Sequence, residues 1–220
     1  MNYWWVNQNK TFKIALNGGY LWSPKQRSDG GRSEFYDNMT KVQPGDIVFS
    51  FVDTYIQALA VVVEPHKSQD KPAEFKTAET NWTEKGWYVK DDYTLLENKV
   101  RPRDRMDLLA PLLPDKYSPL QANGDANQVY LAHISPSLAK ALLSLIGEEG
   151  DEKLAEAAAA GIFQDKNLTV TEKEQLIKAR RGQGLFRRRV SATEIRCRVT
   201  GIDDERFLTA SHIKPWSKSD

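Results

Sequence analysis

Short apolar segments separated by longer polar ones occupy the first 134 residues. Six of them are rich in aromatic and β-branched residues: 3–6 (YWWV), 18–24 (GGYLWSP), 43–52 (QPGDIVFSFV), 55–64 (YIQALAVVVE), 86–93 (GWYVKDDY) and 127–134 (NQVYLAHI). Each has the composition and flanking turn residues of a β-strand. The short gap between 43–52 and 55–64 predicts an antiparallel hairpin. Five or six short strands with few helices predict a small, strongly curved β-sheet or barrel.

The pattern changes to a helical one at residue 135. Apolar residues recur at helical spacing within 135–146, and Ser135 or Ser137 is placed to cap the helix. These apolar residues are Leu138, Leu142, Leu145 and Ile146. The Ala- and Glu-rich segment 147–161 predicts a loop and a short helix that act as a hinge. We therefore predict flanking helices and a helical linker after the sheet.

The last fifty residues have a third pattern. Residues 169–192 begin with a capping-box-like run from Thr171 to Glu174 and continue as a basic helix. Segments 196–202 and 207–213 predict two strands joined by a turn. The sequence thus predicts an α+β protein with a sheet unit at 1–147, a linker at 148–168 and a second unit at 169–220.

Charge is balanced overall, at +1, but it is unevenly distributed. Between residues 178 and 198 there are eight basic residues and one acid, Glu194. The basic residues are Lys178, Arg180, Arg181, Arg187, Arg188, Arg189, Arg196 and Arg198. Such a run can bind a polyanion, or it can be a solvated helix face.

The cysteine count, the N-terminus and the longest apolar run indicate the cellular compartment. Cys197 is the only cysteine, which excludes an intrachain disulfide and a cysteine-based zinc site and fits a reducing cytoplasm. The first ten residues lack the basic-then-apolar order of a signal peptide. The longest apolar run, 58–63, is far shorter than a membrane span. We expect a soluble cytoplasmic protein that does not contact membranes.

The first unit resembles a known family through segments in a fixed order. These are GYLWSPK (19–25), GDIVFSFVDTYIQALAVVVE (45–64) and GWYVKDDY (86–93). Over residues 1–147 this order resembles the EVE domains of the PUA superfamily, which are relatives of the YTH readers of methylated RNA. The resemblance implies a curved sheet or barrel with flanking helices and a pocket for a modified base.

The second unit resembles the opening of an HNH nuclease domain, whose fold is of the ββα-metal type. The resemblance is carried by RCRVTG (196–201), followed by a small residue, His212, Ile213 and Pro215. The two units together resemble the prokaryotic EVE–HNH modification-dependent restriction endonucleases. That resemblance implies recognition of double-stranded DNA carrying modified cytosine, chiefly 5-hydroxymethylcytosine, and cleavage with a divalent metal such as Mg²⁺ or Mn²⁺.

The expected base pocket requires aromatic walls. Flipping a base out of a duplex costs a few kcal/mol, and stacking on aromatic side chains returns about 1–3 kcal/mol per base. Trp22, followed by Ser23, matches the first wall of the related readers. Trp82 lies in the polar segment 78–86 and is our second wall, although either tryptophan could instead be a core residue.

Polar and basic candidates complete the predicted interface. Ser23, Ser50 and Asp53 are candidates for contacts to the base edge, and Asp53 is equally suited to a turn. Candidates for DNA phosphate contacts are Lys25, Arg27, Arg32, Arg180, Arg181, Arg187 and Arg188. Phosphate contacts position a complex without specifying its sequence.

His212 matches the general base of HNH enzymes, in which a neutral imidazole deprotonates water beside a bound metal ion. A structural histidine at a strand end is the alternative. Many HNH enzymes have an Asp or His ligand before this histidine, whereas this chain has Ser211. The resemblance therefore places the metal ligands beyond Asp220. We expect the 220 residues alone to bind modified DNA without cutting it, as part of a longer enzyme or as a natural remnant.

Two other functions stay open at this level. The second reading is a non-catalytic reader of modified nucleic acid, either DNA or RNA. A small-molecule pocket in a PUA-like protein is the third reading, but a small ligand does not need the basic run at 178–198. Cutting both strands with one active site per chain implies a pair of chains, which a homodimer would provide.

Overall fold

A computed structural model describes residues 1–75, 82–164, 167–173, 175–176, 196–197 and 200–201. The chain forms two compact units, Met1–Asp165 and Lys166–Asp220. The first unit therefore extends about one helix further than the sequence predicts. Within the described ranges, none of the helices combines the length and apolar character that crossing a membrane requires.

The first unit is built on a single six-stranded sheet. Its strands are β1 (Tyr3–Asn7), β2 (Tyr20–Pro24), β3 (Ile47–Val52), β4 (Tyr55–Asp70), β5 (Lys85–Val100) and β6 (Leu131–Ile134). Their order is β2-β5-β4-β3-β1-β6, with β1 parallel to β3 and all other neighbours antiparallel. Register shifts in β4 against both neighbours mark irregularities that increase strand bending. The predicted curved sheet and the hairpin of β3 and β4 are confirmed.

Side chains along each strand alternate between two apolar faces of the sheet. In β1, Trp5 belongs to one cluster and Trp4 to the other, as the two-residue period of a strand requires. The cluster around Trp5 includes apolar residues of the two helices that follow the sheet, Pro136–Ile146 and Glu148–Gln164. The cluster around Trp4 also contains Met39 and Val42, from the segment between β2 and β3. This second face, which we call the inner face, holds the polar groups described below.

Five α-helices flank the sheet in the described residues: α1 (Phe12–Gly18), α2 (Glu34–Asp37), α3 (Met106–Leu109), α4 (Pro136–Ile146) and α5 (Glu148–Gln164). Short 3-10 turns cover Asn38–Thr40, Pro102–Arg105 and Ala110–Leu112. The predicted cap of α4 is confirmed, because the Leu138 N–H donates to Ser135 Oγ at 3.1 Å. The fold class is α+β, as predicted.

The segment predicted as a linker forms α5 and packs on the sheet. Ala157 is fully buried in the same cluster as Trp5, and the helix runs for 17 residues. At Gly45, φ is +87°, and an added Cβ would lie 2.8 Å from the Ala157 carbonyl oxygen. The helix is therefore a packed part of the first unit, and this part of the predicted division differs from the structure.

Asp46 joins the starts of β1 and β3. Its carboxylate accepts from the Asn2 N–H at 2.6 Å, the Trp4 Nε1–H at 2.9 Å and the Gln43 N–H at 3.0 Å. The residue is 1% exposed. Three N–H donors compensate the loss of hydration that burial of a carboxylate entails.

The second unit contributes two local features. The capping box is formed by Thr169 and Glu172, two residues earlier than predicted: the Glu172 carboxylate accepts from the Thr169 N–H at 2.8 Å. The Glu172 N–H donates in return to Thr169 Oγ1 at 3.3 Å. A turn also brings the Gly201 N–H to the Cys197 carbonyl oxygen at 2.9 Å. Both residues lie within 196–202, where the sequence predicts a strand.

Candidate functional site

Three aromatic rings form a closed cluster beside β2. The centroids of Trp22 and Phe75 are 5.6 Å apart, those of Trp22 and Trp82 are 5.7 Å apart, and those of Phe75 and Trp82 are 5.8 Å apart. The indole of Trp22 lies against Gly86, where an added Cβ would be 2.2 Å from the ring. Trp22 is fully buried, whereas Trp82 is half-buried. The structure therefore brings the two predicted walls together.

Trp82 also contacts the inner face through two tyrosines. Its ring meets Tyr130 edge-on at 5.6 Å and Tyr36 at 6.5 Å. The Tyr130 hydroxyl donates to the Trp22 carbonyl oxygen at 2.8 Å. Because Tyr130 directly precedes β6 and Trp22 lies in β2, this bond links the two edge strands of the curved sheet. Phe75, Tyr36 and Tyr130 were not among the predicted site residues.

The two predicted serines are buried at different places. Ser23 follows Trp22 in β2, and its hydroxyl donates to the Pro24 carbonyl oxygen at 3.2 Å. Ser50 lies in β3 and donates to Gln8 Oε1 at 2.5 Å. Both side chains are fully inaccessible in the free protein. Ser50 belongs to a polar group on the inner face, whereas Ser23 is adjacent to the aromatic cluster along the chain.

Asp53 is not brought to the aromatic cluster. It is exposed in the turn between β3 and β4, with φ of +48°, and its N–H donates to Asn9 Oδ1 at 2.9 Å. Trp22 pairs with Tyr88, which in turn pairs with Lys67. About 14 residues of strand separate Asp53 from Lys67, and a strand rises roughly 3.3 Å per residue, so even with bulges they lie tens of ångströms apart. The positive φ and the exposed position of Asp53 agree with the alternative prediction, a turn residue.

A buried polar group lies on the inner face, and we call it the inner polar cluster: Gln8, Ser50, Asp91 and Tyr93. Gln8 Oε1 accepts from the Ser50 hydroxyl and, at 3.5 Å, from the Tyr93 hydroxyl. Gln8 Nε2 and both Asp91 carboxylate oxygens have no hydrogen-bond partner of good geometry among the described residues. Gln8 and Asp91 are 1% and 4% exposed. Only Ser50 of this cluster was predicted.

Burial sets the protonation of these groups. Loss of hydration raises the pKa of Asp91 well above its ordinary value, and the nearby Leu21 N–H opposes this only in part. Burial, with the proximity of Asp91, also raises the pKa values of Tyr93 and Tyr130. The two phenols therefore stay neutral at physiological pH, and Asp91 is the carboxyl group that titrates within the inner face.

We expect Asp91→Asn to remove a pH dependence of stability. An unfolded Asp has a pKa of about 3.9, and the folded pKa is higher, so the folded state binds more protons between these values and loses stability as pH rises through them. Urea unfolding at pH 4.5 and pH 8 should show the variant gaining about 1–3 kcal/mol relative to wild type at the higher pH.

Asp107→Asn is the matched control, because the Asp107 side chain is 77% exposed. Its stability should follow that of the wild type at both pH values. An unchanged pH dependence in Asp91→Asn would contradict the burial of an unpartnered carboxyl group.

The predicted phosphate-binding residues of the first unit are at the surface near Trp22. The Lys25 ammonium lies 4.1 Å from the centroid of the Trp87 ring. Arg27 pairs with Asp29, and Arg32 pairs with Asp37 at 2.8 Å. Lys67, which was not predicted, lies 4.6 Å above the ring of Tyr88, the strand partner of Trp22. Lys25 thus places positive charge directly after β2, which carries Trp22, and Lys67 places it on β4.

The remaining predicted residues lie outside the described part of the chain. They are His212, Arg180, Arg181, Arg187 and Arg188. The described ranges contain no group of three or more His, Cys, Asp or Glu side chains arranged to hold a metal ion. The catalytic histidine, the basic segment and the divalent metal therefore stay predictions.

Residues 197–220 match the family model described as HNH endonuclease. This match confirms the HNH segment predicted from RCRVTG and the residues around His212. Among curated proteins, none matches the sequence significantly.

Solved structures similar to the chain cover about two thirds of it. They include a Pseudomonas putida protein (10% identity, 66% of this chain and 99% of that chain, TM-score 0.44). A second is the YTH domain of the Zygosaccharomyces rouxii MRB1 protein in complex with N6-methyladenosine RNA (13%, 66% and 86%, 0.43). A third is human THYN1 in complex with DNA containing 5-methylcytosine (12%, 67% and 98%, 0.42). The prediction of an HNH segment after the sheet unit agrees with the family match at residues 197–220.

Proposed function

We propose that the first unit binds a modified cytosine, flipped out of double-stranded DNA, between Trp22 and Trp82. We further propose that the HNH segment belongs to a metal-dependent nuclease that cuts such DNA, with His212 as general base. 5-Hydroxymethylcytosine is the proposed base because the two units in this order resemble the EVE–HNH restriction endonucleases.

The observation that carries the proposal is the aromatic cluster itself. Trp22 and Trp82 come from segments about 60 residues apart, yet their rings lie 5.7 Å from each other and both contact Phe75. Phe75 thus occupies, in the free protein, the apolar contact that a base would make with these walls. A base that displaced it would replace one aromatic partner by another, which lowers the cost of insertion.

Charge at the surface supports a nucleic-acid partner. Lys25 directly follows β2 and Lys67 lies on β4, and each ammonium is above an aromatic ring, of Trp87 and of Tyr88 respectively. Cations held in this way can bind backbone phosphates that flank a flipped nucleotide. Arg27 and Arg32 extend this basic surface and stay proposed phosphate contacts.

Binding to short duplexes tests the proposal. We expect the 220-residue protein to bind a duplex with one central 5-hydroxymethylcytosine more tightly than the same duplex with cytosine. Trp82→Ala should weaken binding to the modified duplex about 10-fold or more, since one stacked base is worth about 1–3 kcal/mol. Fluorescence anisotropy at fixed salt measures both affinities, because salt alters phosphate contacts.

Tyr55→Ala is the control for loss of an aromatic ring. Tyr55 is an exposed aromatic residue beside the turn of the β3–β4 hairpin and outside the aromatic cluster, so its removal should leave both affinities within about 2-fold. Equal binding of modified and unmodified duplexes by the wild type would refute the reader. For the nuclease half, a protein with a complete HNH domain that leaves modified DNA uncut in Mg²⁺ or Mn²⁺ would refute cleavage.

A further inference from the structure

A cavity of about 450 Å³ borders the edge strand β6, and we call it the β6 cavity. Trp4 and His133 line it, with their rings in edge contact and their centroids 5.2 Å apart. Its volume falls in the range of about 300–1,000 Å³ that is typical of ligand sites. The other residues that the argument below uses are Glu34, Asn38, Lys41, Lys116 and Tyr117. Its lining includes no residue that the sequence predicts to contact DNA.

The β6 cavity carries positive charge that the protein does not compensate. Lys41 Nζ donates to Glu34 Oε1 at 2.6 Å and to Asn38 Oδ1 at 2.9 Å, so these three side chains satisfy one another. Within the described ranges, the Lys116 ammonium has no ion pair and the His133 ring nitrogens have no hydrogen bond. An imidazole has at least one N–H donor in either tautomer. The cavity therefore offers an ammonium and an N–H donor to an anion.

Tyr117 lines the cavity with a backbone conformation that bulky residues seldom adopt. Its φ is +58°, in the left-handed region, and the residue is 60% exposed. Its ring meets that of Phe35 edge-on at 5.8 Å. Uncommon backbone conformations persist where the surrounding structure fixes them, and they are concentrated at ligand sites. Next to Lys116 in the chain, the exposed phenol is a third donor at the same cavity.

The β6 cavity is a neighbour of the aromatic cluster on the inner face. Helix α2 borders both, because Glu34 lines the cavity and Tyr36 contacts the Trp82 ring at 6.5 Å. The chain around β6 also borders both, because Tyr130 contacts Trp82 and His133 lines the cavity. Three residues of extended chain, from Tyr130 to His133, span about 10 Å. This is the rise of about three nucleotides along one strand of a duplex.

We propose that the β6 cavity binds a backbone phosphate of DNA about three nucleotides from the base at the aromatic cluster, with Lys116, His133 and Tyr117 as donors. The inference rests on the proposed function, because it takes the same DNA as its ligand. Lys25 directly follows β2, the opposite edge strand, and Trp82 contacts residues at both edges. Backbone contacts would thus lie on both sides of the flipped base. They position the duplex without reading its sequence.

Lys116→Gln and Tyr117→Phe test the site, since each removes one donor and keeps most of the side chain. Both residues are exposed, so we expect folding to be retained. Each variant should weaken binding to the 5-hydroxymethylcytosine duplex and to the cytosine duplex by the same factor, about 3- to 10-fold. Lys116→Gln should also reduce the slope of log affinity against log salt by about 1. Fluorescence anisotropy between about 50 and 200 mM salt measures both quantities.

Lys140→Gln is the matched control for loss of a lysine. Lys140 is exposed on α4, whose apolar residues pack in the cluster around Trp5, on the other face of the sheet. Both affinities and the salt slope should stay within about 2-fold and within error of the wild type, respectively.

The outcomes separate this inference from the proposed function. Unchanged affinities in Lys116→Gln and Tyr117→Phe, with the modified duplex still preferred, would overturn the inference alone. A weaker preference for the modified duplex in either variant would place the base in the cavity and overturn the phosphate. Equal binding of both duplexes by the wild type would overturn the reader, while the salt slope of Lys116→Gln still decides about the cavity.

A titration with deoxycytidine monophosphate distinguishes a backbone phosphate from a free nucleotide. We expect the duplex affinity and any binding of the monophosphate at this cavity to fall together in Lys116→Gln. Loss of monophosphate binding in that variant, with duplex affinity unchanged, would mean that the cavity serves a free nucleotide and would overturn DNA as its ligand.

Discussion

Replacing Trp22 by alanine should destabilise the protein by about 3–5 kcal/mol, the range for removal of a buried tryptophan from a core. Trp22 is fully buried, its ring packs on Gly86, and its Nε1–H donates to the Gln69 carbonyl oxygen at 3.3 Å. Alanine would leave a cavity against Phe75 and remove that bond. Urea unfolding followed by tryptophan fluorescence measures the loss.

The half-buried Trp82 provides the comparison within the same cluster. Trp82→Ala should cost less, about 1–2 kcal/mol, because part of its side chain is already exposed to water in the folded state. A loss below 1 kcal/mol for Trp22→Ala would mean that its ring contributes little to the core. Trp22→Phe, which keeps an aromatic face on Gly86, is the variant suited to binding measurements.

The strands of the sheet were predicted from their apolar residues, but their full lengths were not. Residues 65–70 read PHKSQD and carry no strand pattern, yet they form the end of β4. They are part of the strand because residues 67–70 pair with β5 from Tyr88 to Lys85. Pairing between distant segments supplies this part of the structure, and local propensity does not report it.

The packing of α5, the second helix after the sheet, was likewise not predictable from the sequence. The Ala-rich composition of 147–161 predicts a short helix but gives no partner. In the structure, small residues at this place let the helix backbone approach Gly45 so closely that a Cβ there would touch it. A glycine before β3 and an alanine-rich helix about 110 residues later fit each other, and sequence spacing cannot reveal that fit.

The candidate site was predictable in its aromatic part and missed in its polar part. An isolated tryptophan in a polar segment, Trp82, indicated a functional surface. Asp91 carried a signal as well, since it shares strand parity with the buried Val89 and with Tyr93 and therefore had to face inward. Gln8 could not be assigned in this way, because its role depends on contacts to β3 and β5 that only the folded sheet creates.

One buried carboxylate, that of Asp46, accepts hydrogen bonds at the starts of β1 and β3. Replacing Asp46 by alanine should cost about 3–5 kcal/mol, because it leaves the N–H groups of Asn2, Trp4 Nε1 and Gln43 without their shared acceptor in a buried setting. Chemical unfolding gives this value. Asp46→Asn keeps one acceptor oxygen but turns an amide donor toward other donors, so it should also destabilise, by a smaller amount.

Asp70→Ala is the matched control for loss of an aspartate that is hydrogen-bonded and paired. Asp70 pairs with Lys85, but its side chain is 71% exposed, and exposed ion pairs contribute about 0–1 kcal/mol. Equal losses for Asp46→Ala and Asp70→Ala would show that the donors around Asp46 find water or other acceptors. A much larger loss at Asp46 means that the Gly-Asp step before β3 is a structural determinant of the sheet, since it fixes β1 beside β3 and thereby places Gln8 against Ser50.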